Sequence, residues 1–145
     1  MFTIRDYAPH DFEQLLTLDQ LCFPEGIAYS RREMKYYLNR KNAIGMVADR
    51  PSNPAIVGFL VAERDHAGSA HIITIDVHPD ARRSGLGSAF MERLEGRLLE
   101  QGCNSVFLEV AVDNLPAITF YKQHGFTLLK TLPRYYNNSI DGLLM

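Results

Sequence analysis

The stretch ARRSGLGSAF, at positions 81 to 90, joins two arginines to two closely spaced glycines, just before an apolar pattern of helical period. The first turn of a helix leaves backbone N–H groups without helical partners and carries the positive end of the helix dipole. A glycine-rich approach flanked by Arg82 and Arg83 therefore predicts a cradle for an anion, most naturally a phosphate. The alternative is a glycine-rich turn whose arginines are simply solvated.

Two common phosphate motifs do not fit this stretch. The run Gly85-Leu86-Gly87-Ser88-Ala89-Phe90 lacks the third glycine of a dinucleotide fingerprint, and no Gly-Lys-Ser/Thr follows as a P-loop requires. The cradle thus indicates neither hydride transfer nor nucleotide hydrolysis.

The elements around this loop alternate between strand and helix periods. Helices are expected at 9–23, 31–40, 85–101 and 115–124, the second opened by a capping box of Ser30 and Glu33. Strands are expected at 2–5, 43–49, 55–65, 71–77, 105–112, 126–132 and within 139–145, with a turn in RPSNP at 50–54 and a loop in PEGIAYS at 24–30. This order predicts an α+β, or mixed three-layer, domain with an antiparallel meander over 43–77.

Length and charge narrow the function classes. The chain has 145 residues, enough for one domain with its own core, and we expect a single domain over 1–145. A formal charge of −2 disfavours a nucleic-acid partner, and no uncharged run approaches the ~18 residues of a membrane span, so we expect a cytoplasmic protein that binds no membrane. Cys22 and Cys103 have neither metal nor redox spacing and are expected to be buried thiols.

Two segments together carry a family resemblance. ARRSGLGSAF resembles the R/Q-x-x-G-x-G/A acetyl-CoA pyrophosphate loop of the GNAT superfamily of N-acetyltransferases, and LEVAVDNLPAITFYKQHGF resembles the segment that follows it in that family. The likeness extends over essentially the whole chain. Within the superfamily the sequence is most similar to the RimI-type ribosomal-protein alanine N-acetyltransferases, through CFPEGIAYS, LEVAVDN and RYYNNSIDGLLM.

The resemblance implies a fold and a co-substrate. The GNAT fold has a central, mostly antiparallel sheet of about seven strands flanked by about four helices. Acetyl-CoA would lie with its pyrophosphate on the cradle and its pantetheine beside strand 71–77, with no metal. The implied cofactor-binding residues are Ile75, Asp76, Val77, Arg82, Arg83, Ser84, Gly85, Leu86, Gly87, Ser88, Asn114 and Tyr121.

The resemblance also assigns the chemistry. Tyr121, protonated at neutral pH with a usual pKa of ~10, would donate a proton to the leaving thiolate, and Glu109 would be the base. His71 and Asp76 remain alternative bases. Tyr135 and Tyr136, expected in a loop before the last strand, would clamp the first residues of a peptide together with Tyr29, which stands where the family often has tryptophan.

The expected reaction is acetyl transfer from acetyl-CoA to a primary amine, most simply the N-terminal α-amine of a protein such as a ribosomal protein. An enzyme for small amines, such as polyamines, amino acids or antibiotics, is one alternative. A non-catalytic acyl-CoA-binding module is another. The sequence leaves open whether the protein is a monomer or a homodimer.

Overall fold

The computed structural model describes residues 1–52 and 55–145, and within them the chain forms eight strands and four α-helices. The turn predicted at 50–54 lies partly outside the described residues. The first sheet has five strands in the order β1-β2-β3-β4-β5. They are β1 (Thr3–Asp6), β2 (Ala43–Asp49), β3 (Ile56–Arg64), β4 (Ser69–Val77) and β5 (Ser105–Phe107).

A second sheet of three strands completes the β structure, in the order β6-β8-β7. Its strands are β6 (Glu109–Ala111), β7 (Lys130–Tyr136) and β8 (Ile140–Leu144). All neighbouring strands in both sheets are antiparallel except β4 and β5, which run parallel. The predicted antiparallel meander over 43–77 is confirmed.

The four helices form where the apolar spacing predicts them. They are α1 (Phe12–Cys22), entered through a 3₁₀ turn at Pro9–Asp11, α2 (Arg31–Leu38), α3 (Leu86–Glu100) and α4 (Leu115–Gln123). The capping box before α2 is present, because the Glu33 amide donates to the Ser30 hydroxyl and the Ser30 amide donates to Oε1 of Glu33. After α3 the chain turns at Gly102 with φ +80°, the left-handed conformation that glycine adopts most easily. None of the helices in the described part of the chain is long and apolar enough to cross a membrane.

The sheet separates two apolar clusters, which makes the domain three-layered as predicted. On one face α1 and α2 cover β2, β3 and β4, and on the other α3 and α4 cover both sheets. Burying each large side chain contributes about 1.5–3 kcal/mol. Large, fully buried members include Leu15, Met34, Val47, Phe59 and Val61 on the first face, and Met46, Leu60, Leu86, Phe90, Met91, Leu94, Leu98 and Leu108 on the second.

A β-bulge in β4 opens the sheet. Thr74 lies opposite Val61, but Ile72 lies opposite the next residue, Ala62, so Ile73 is an extra residue in β4. An extra residue increases the local twist and bends its strand. On the N-terminal side of the bulge, which we call below it, β4 pairs with β5 through residues 69–71. On the C-terminal side, above the bulge, residues 74–77 pair only with β3 among the described strands.

The predicted strand over 105–112 is divided at Leu108, which is why the strand count is eight rather than about seven. Residues 105–107 pair with β4, and residues 109–111 pair with β8. Leu108 exchanges two backbone hydrogen bonds of 2.9 Å with Met145 at the junction. The two sheets therefore diverge from this point, and a cleft lies between the upper half of β4 and β6.

Two predictions near the end of the chain are wrong. The strand expected at 126–132 begins later and is β7, Lys130–Tyr136. The Phe126 amide donates a hydrogen bond to the carbonyl of Tyr121 at the end of α4, and pairing with β8 starts only near Leu129. Tyr135 and Tyr136 consequently lie in the last positions of β7 rather than in a loop. The turn that leads into β8 begins after them.

Candidate active site

The predicted anion cradle lies at the N-terminus of α3. The first helical hydrogen bond is donated by the Ala89 amide to Gly85 O (3.0 Å), so the preceding amides of this turn are not used by the helix. Gly85 has φ +82° and Arg83 has φ +62°, which turn the backbone around the cradle. Arg82, Arg83 and Ser84 are exposed beside it, while the side chain of Leu86 is buried in the core and leaves only its backbone to the cradle.

Glycine is required at the two positions of the loop for different physical reasons. A Cβ on Gly85 would meet nothing within 4 Å, so its backbone conformation is the constraint there. A Cβ on Gly87 would lie 3.0 Å from the ring of Phe120, so Gly87 allows α3 to approach α4 closely. Ser88, one residue on, is 3.0 Å from His124 through Oγ and Nε2.

Tyr121 lies on α4 with its side chain buried between aromatic neighbours. Its ring is 5.5 Å from that of Phe120 and 5.7 Å from that of Phe126, both edge-on. Burial, and secondarily the charge of Asp76, raise the pKa of Tyr121 above its ordinary value. The hydroxyl therefore keeps its proton throughout the neutral range.

Asn114, another predicted cofactor residue, caps α4 by accepting a hydrogen bond from the Ala117 amide (3.3 Å).

Ile75 and Val77 line β4 above the bulge and are partly buried against the α3 side. Asp76 points to the opposite face, where its side chain is 1% exposed and accepts a 2.6 Å hydrogen bond from the Thr74 hydroxyl. An incoming amine has no access to a carboxyl group enclosed in this way. Its side chain is therefore not placed to serve as the alternative base, although its backbone lies on the cleft strand.

Glu109 and His71 form a hydrogen-bonded pair at the other end of the cleft. The Nε2–H of His71 donates to Oε1 of Glu109 over 2.7 Å. His71 is the last residue of β4 that pairs with β5, and Glu109 is the first residue of β6. The ring of His71 stacks on Phe107 with centroids 4.6 Å apart and planes 7° apart, which fixes its orientation. Both side chains keep partial exposure, 29% for His71 and 16% for Glu109.

The charge of Glu109 acts on three tyrosines, Tyr37, Tyr135 and Tyr136, and Tyr29 packs against Tyr37. We call these four tyrosines the tyrosine-lined end of the cleft. Tyr29 and Tyr37 meet edge-on at 5.4 Å, and Tyr135 and Tyr136 at 4.9 Å. Burial, followed by the nearby Glu109 carboxylate, raises the pKa of Tyr135 above its ordinary value. Burial also raises the pKa of Tyr29 and of Tyr136, so these phenols are neutral hydrogen-bond donors at physiological pH.

Two residues of this site were missed or given too little weight in the sequence analysis. Tyr37, on α2, gave no motif signal. His71 was named only as an alternative base, although its pairing with Glu109 follows once β4 and β5 run parallel with residues 69–71 beside 105–107.

The two cysteines lie apart from each other. Cys22 is half-buried, with its thiol donating to Val77 O (3.5 Å), and Cys103 is buried. Within the described ranges no group of three His, Cys, Asp or Glu side chains is arranged to hold a metal ion.

The amino-acid sequence of this chain is similar to those of known acetyltransferases. The sequence profile of the Acetyltransferase (GNAT) family matches residues 12–126. An N-alpha-acetyltransferase of Sulfurisphaera tokodaii is 28% identical over 156 aligned positions, covering 99% of this chain and 91% of that protein. An uncharacterised N-acetyltransferase of Methanocaldococcus jannaschii is 36% identical over 91 positions, which span 62% of this chain and 58% of that relative.

Solved structures agree. The crystal structure of Ard1 from Thermoplasma volcanium superposes with a TM-score of 0.89 at 32% identity, over 99% of this chain and 95% of that one. The ribosomal-protein-S18-alanine N-acetyltransferase from Escherichia coli, at 24% identity, shares the fold with a TM-score of 0.88 over 100% of this chain and 92% of that one.

The chain belongs to the GNAT family of acetyltransferases. It is an acetyl-CoA-dependent N-acetyltransferase, and the predicted fold class and co-substrate are confirmed.

Proposed function

We propose that this enzyme acetylates the free α-amine at the N-terminus of a peptide or protein. The observation that carries the proposal is the tyrosine-lined end of the cleft, where the charge of Glu109 acts on neutral phenol groups. Phenol hydroxyls hydrogen-bond peptide groups while their rings cover the apolar parts of an extended chain. The relatives named N-alpha-acetyltransferase support the same assignment.

The opposite end of the cleft fits acetyl-CoA. The free amides before Ala89, with Arg82 and Arg83 beside them, suit the pyrophosphate. The edge of β4 above the bulge has no strand partner on the cleft side among the described residues, so it can accept an extended amide-containing chain such as pantetheine by strand-like hydrogen bonds. When bound, acetyl-CoA supplies the activated acyl thioester.

Glu109 would accept the proton of the incoming amine. As a carboxylate it accepts a hydrogen bond from His71 through Oε1, which holds that oxygen in place. The demand on this base is modest, because an α-amine of pKa ~8 is already roughly one-tenth neutral at pH 7, whereas a lysine amine of pKa ~10.4 is neutral at only a few parts in ten thousand.

Tyr121 would supply the proton that the departing thiolate needs. Its buried phenol stays protonated, and the charge of Asp76 on β4 acts on it. Glu109 and Tyr121 both act on the pKa of Tyr136, which supports a common site for the proposed base and acid.

The test is a thiol-release assay with acetyl-CoA and short peptides, each made with its α-amine free or blocked, beside free lysine and polyamines. Mass spectrometry locates the acetyl group on each product. Acetylation confined to free α-amines is expected, with a preference among first residues. Turnover only on small amines would overturn the peptide assignment, and tight acetyl-CoA binding without turnover on any amine would favour a binding module.

A further inference from the structure

Two carboxyl groups lie in the interior between α1 and β4. Asp19 on α1 is 0% exposed and Asp76 on β4 is 1% exposed. Each has one satisfied oxygen, because Oδ2 of Asp19 accepts from the Tyr29 amide (2.7 Å) and Oδ1 of Asp76 accepts from the Thr74 hydroxyl (2.6 Å). The other two oxygens, Oδ1 of Asp19 and Oδ2 of Asp76, are the buried side-chain atoms without a donor among the described residues.

The contact between α1 and β4 brings the two carboxyl groups together: Cys22, one turn after Asp19, donates to the carbonyl of Val77, the residue next to Asp76. Each carboxyl group raises or lowers the pKa of the other, as neighbouring groups do. Two neighbouring carboxylates in a dry interior cannot both be charged, since burial and mutual repulsion each favour the neutral form. One proton placed between them turns both unsatisfied oxygens into one hydrogen bond. A single negative charge then remains, held by the Tyr29 amide and the Thr74 hydroxyl.

Among the described residues, the cation that acts on Asp76 is Arg82, and its exposed guanidinium donates to Val77 O rather than to a carboxyl group. A further carboxylate, Glu33, adds to the repulsion on Asp19. The ionisable groups that face the pair from the packed elements are Cys22 on α1, Tyr29 before α2, Glu33 on α2, Arg82 after β4 and Tyr121 on α4.

The same bonds tie a loop to the cleft strand. We call residues 23–30, between α1 and α2, the acceptor loop. The Tyr29 amide is held by Asp19, the Tyr29 hydroxyl donates to Ile73 O (3.2 Å), and the Cys22 thiol just before the loop donates to Val77 O. Tyr29, a member of the tyrosine-lined end, therefore owes its position to Asp19 on one side and to β4 on the other.

We propose that Asp19 and Asp76 share one proton, and that Asp19 is a positioning residue which uses this proton to fasten the acceptor loop to β4. The loop's role toward an acceptor rests on the proposed function, but the shared proton does not. As pH rises, loss of this proton places two charges face to face, and the loop separates from the strand. We call this link between Asp19 and Asp76 the clamp; it is closed at neutral pH and opens in alkali.

Infrared spectroscopy tests the proton directly. At neutral pH the native protein is expected to show the carbonyl band of a protonated carboxylic acid. The isosteric double variant Asp19→Asn/Asp76→Asn should lose that band, and Glu92→Gln, which removes an exposed carboxylate on α3, should retain it. Absence of the band from the native protein, or its persistence in the double variant, would overturn the proposal.

Hydrogen exchange tests the clamp without any substrate. Once corrected for intrinsic rates, exchange of the Tyr29 amide should accelerate about tenfold per pH unit in alkali, the slope for loss of one proton. Asp76→Asn keeps a hydrogen-bond donor that cannot ionise, so its acceptor loop should lose this acceleration. Equal acceleration in both proteins, or none in the native protein, would contradict the clamp.

Kinetics link the clamp to acceptor binding. In the native enzyme the KM for the acceptor peptide should rise in alkali while the KM for acetyl-CoA changes less, and Asp76→Asn should remove the difference. A rise that is identical in the variant would contradict the positioning role of Asp19. If no peptide is a substrate, the proposed function fails, while the infrared and exchange results still decide whether the shared proton exists.

Discussion

Nε2 of His71 lies 2.7 Å from Oε1 of Glu109, and this bond joins the two sheets where they begin to diverge. His71 belongs to the part of β4 that still pairs with β5, and Glu109 is the first residue of β6. Stacking on Phe107 leaves the imidazole little rotational freedom. The pair thus places a carboxylate of defined orientation at the base of the cleft.

Replacing Glu109 by Gln should lower kcat by about 10²–10⁴, the usual contribution of a positioned general base, and leave acetyl-CoA affinity unchanged. His71→Ala should lower kcat by less, since it removes only the hydrogen bond that orients Glu109. Steady-state kinetics with an α-amine peptide measure both effects. His66→Ala, in an exposed turn, is the matched control, and a kcat of Glu109→Gln equal to that of the native enzyme would remove Glu109 from the mechanism.

Tyr121→Phe should reduce kcat by about 10² or more with little change in acetyl-CoA affinity, because the ring and its packing remain while the donated proton is lost. The raised pKa of this phenol also predicts that proton donation persists up to and beyond the ordinary tyrosine pKa of ~10. Calorimetric titration with acetyl-CoA separates binding from turnover. Tyr36→Phe, at a tyrosine 56% exposed, serves as the control, and normal turnover by Tyr121→Phe would exclude the proton-donor role.

Arg82→Ala should weaken acetyl-CoA binding by about tenfold, the effect of losing a charge-assisted contact to phosphate, with a smaller change in kcat. The loss should shrink at high ionic strength because the arginine is exposed. Arg93→Ala, at an exposed position further along α3, tests whether charge alone is responsible. If both variants bind acetyl-CoA equally well, the cradle does not use Arg82.

Asp11→Asn should lower the free energy of unfolding by about 1.5–3 kcal/mol at neutral pH, because Asp11 accepts charge-assisted bonds from Arg5 (2.8 and 2.9 Å). The Arg5 guanidinium holds the pKa of Asp11 below its usual value. A lowered carboxyl pKa stabilises the fold above the unfolded pKa of ~3.9, and this stabilisation is lost as pH falls through the folded pKa.

Denaturant titrations across this acidic range should show the native protein and Asp11→Asn converging in stability. The control is Asp6→Asn, which removes a mostly exposed partner of Arg97 and should change stability little. A constant gap between native protein and Asp11→Asn at every pH would point to packing rather than charge.

The glycine turn before α3 and the approximate helix boundaries could be predicted because local physics fixes them. Gly85, the capping box at Ser30 and the apolar spacing of α3 each act within a few residues. The division at Leu108 could not be predicted, because it depends on pairing with Met145 and on a bulge at Ile73 that has no local signal. The enclosure of Asp76 by Asp19 is likewise a contact between distant segments, so sequence alternation placed Asp76 on the cleft strand but not in the interior.

The bulge at Ile73 also affects the tendency of the protein to aggregate. An unpaired strand edge on the outside of a sheet invites pairing with another chain and aggregation. Here the unpaired edge belongs to β4, which lies inside the first sheet between β3 and β5, and the second sheet begins with β6 directly after β5. The free backbone groups of β4 are therefore not on the outer border of the sheet, where pairing with another protein would start.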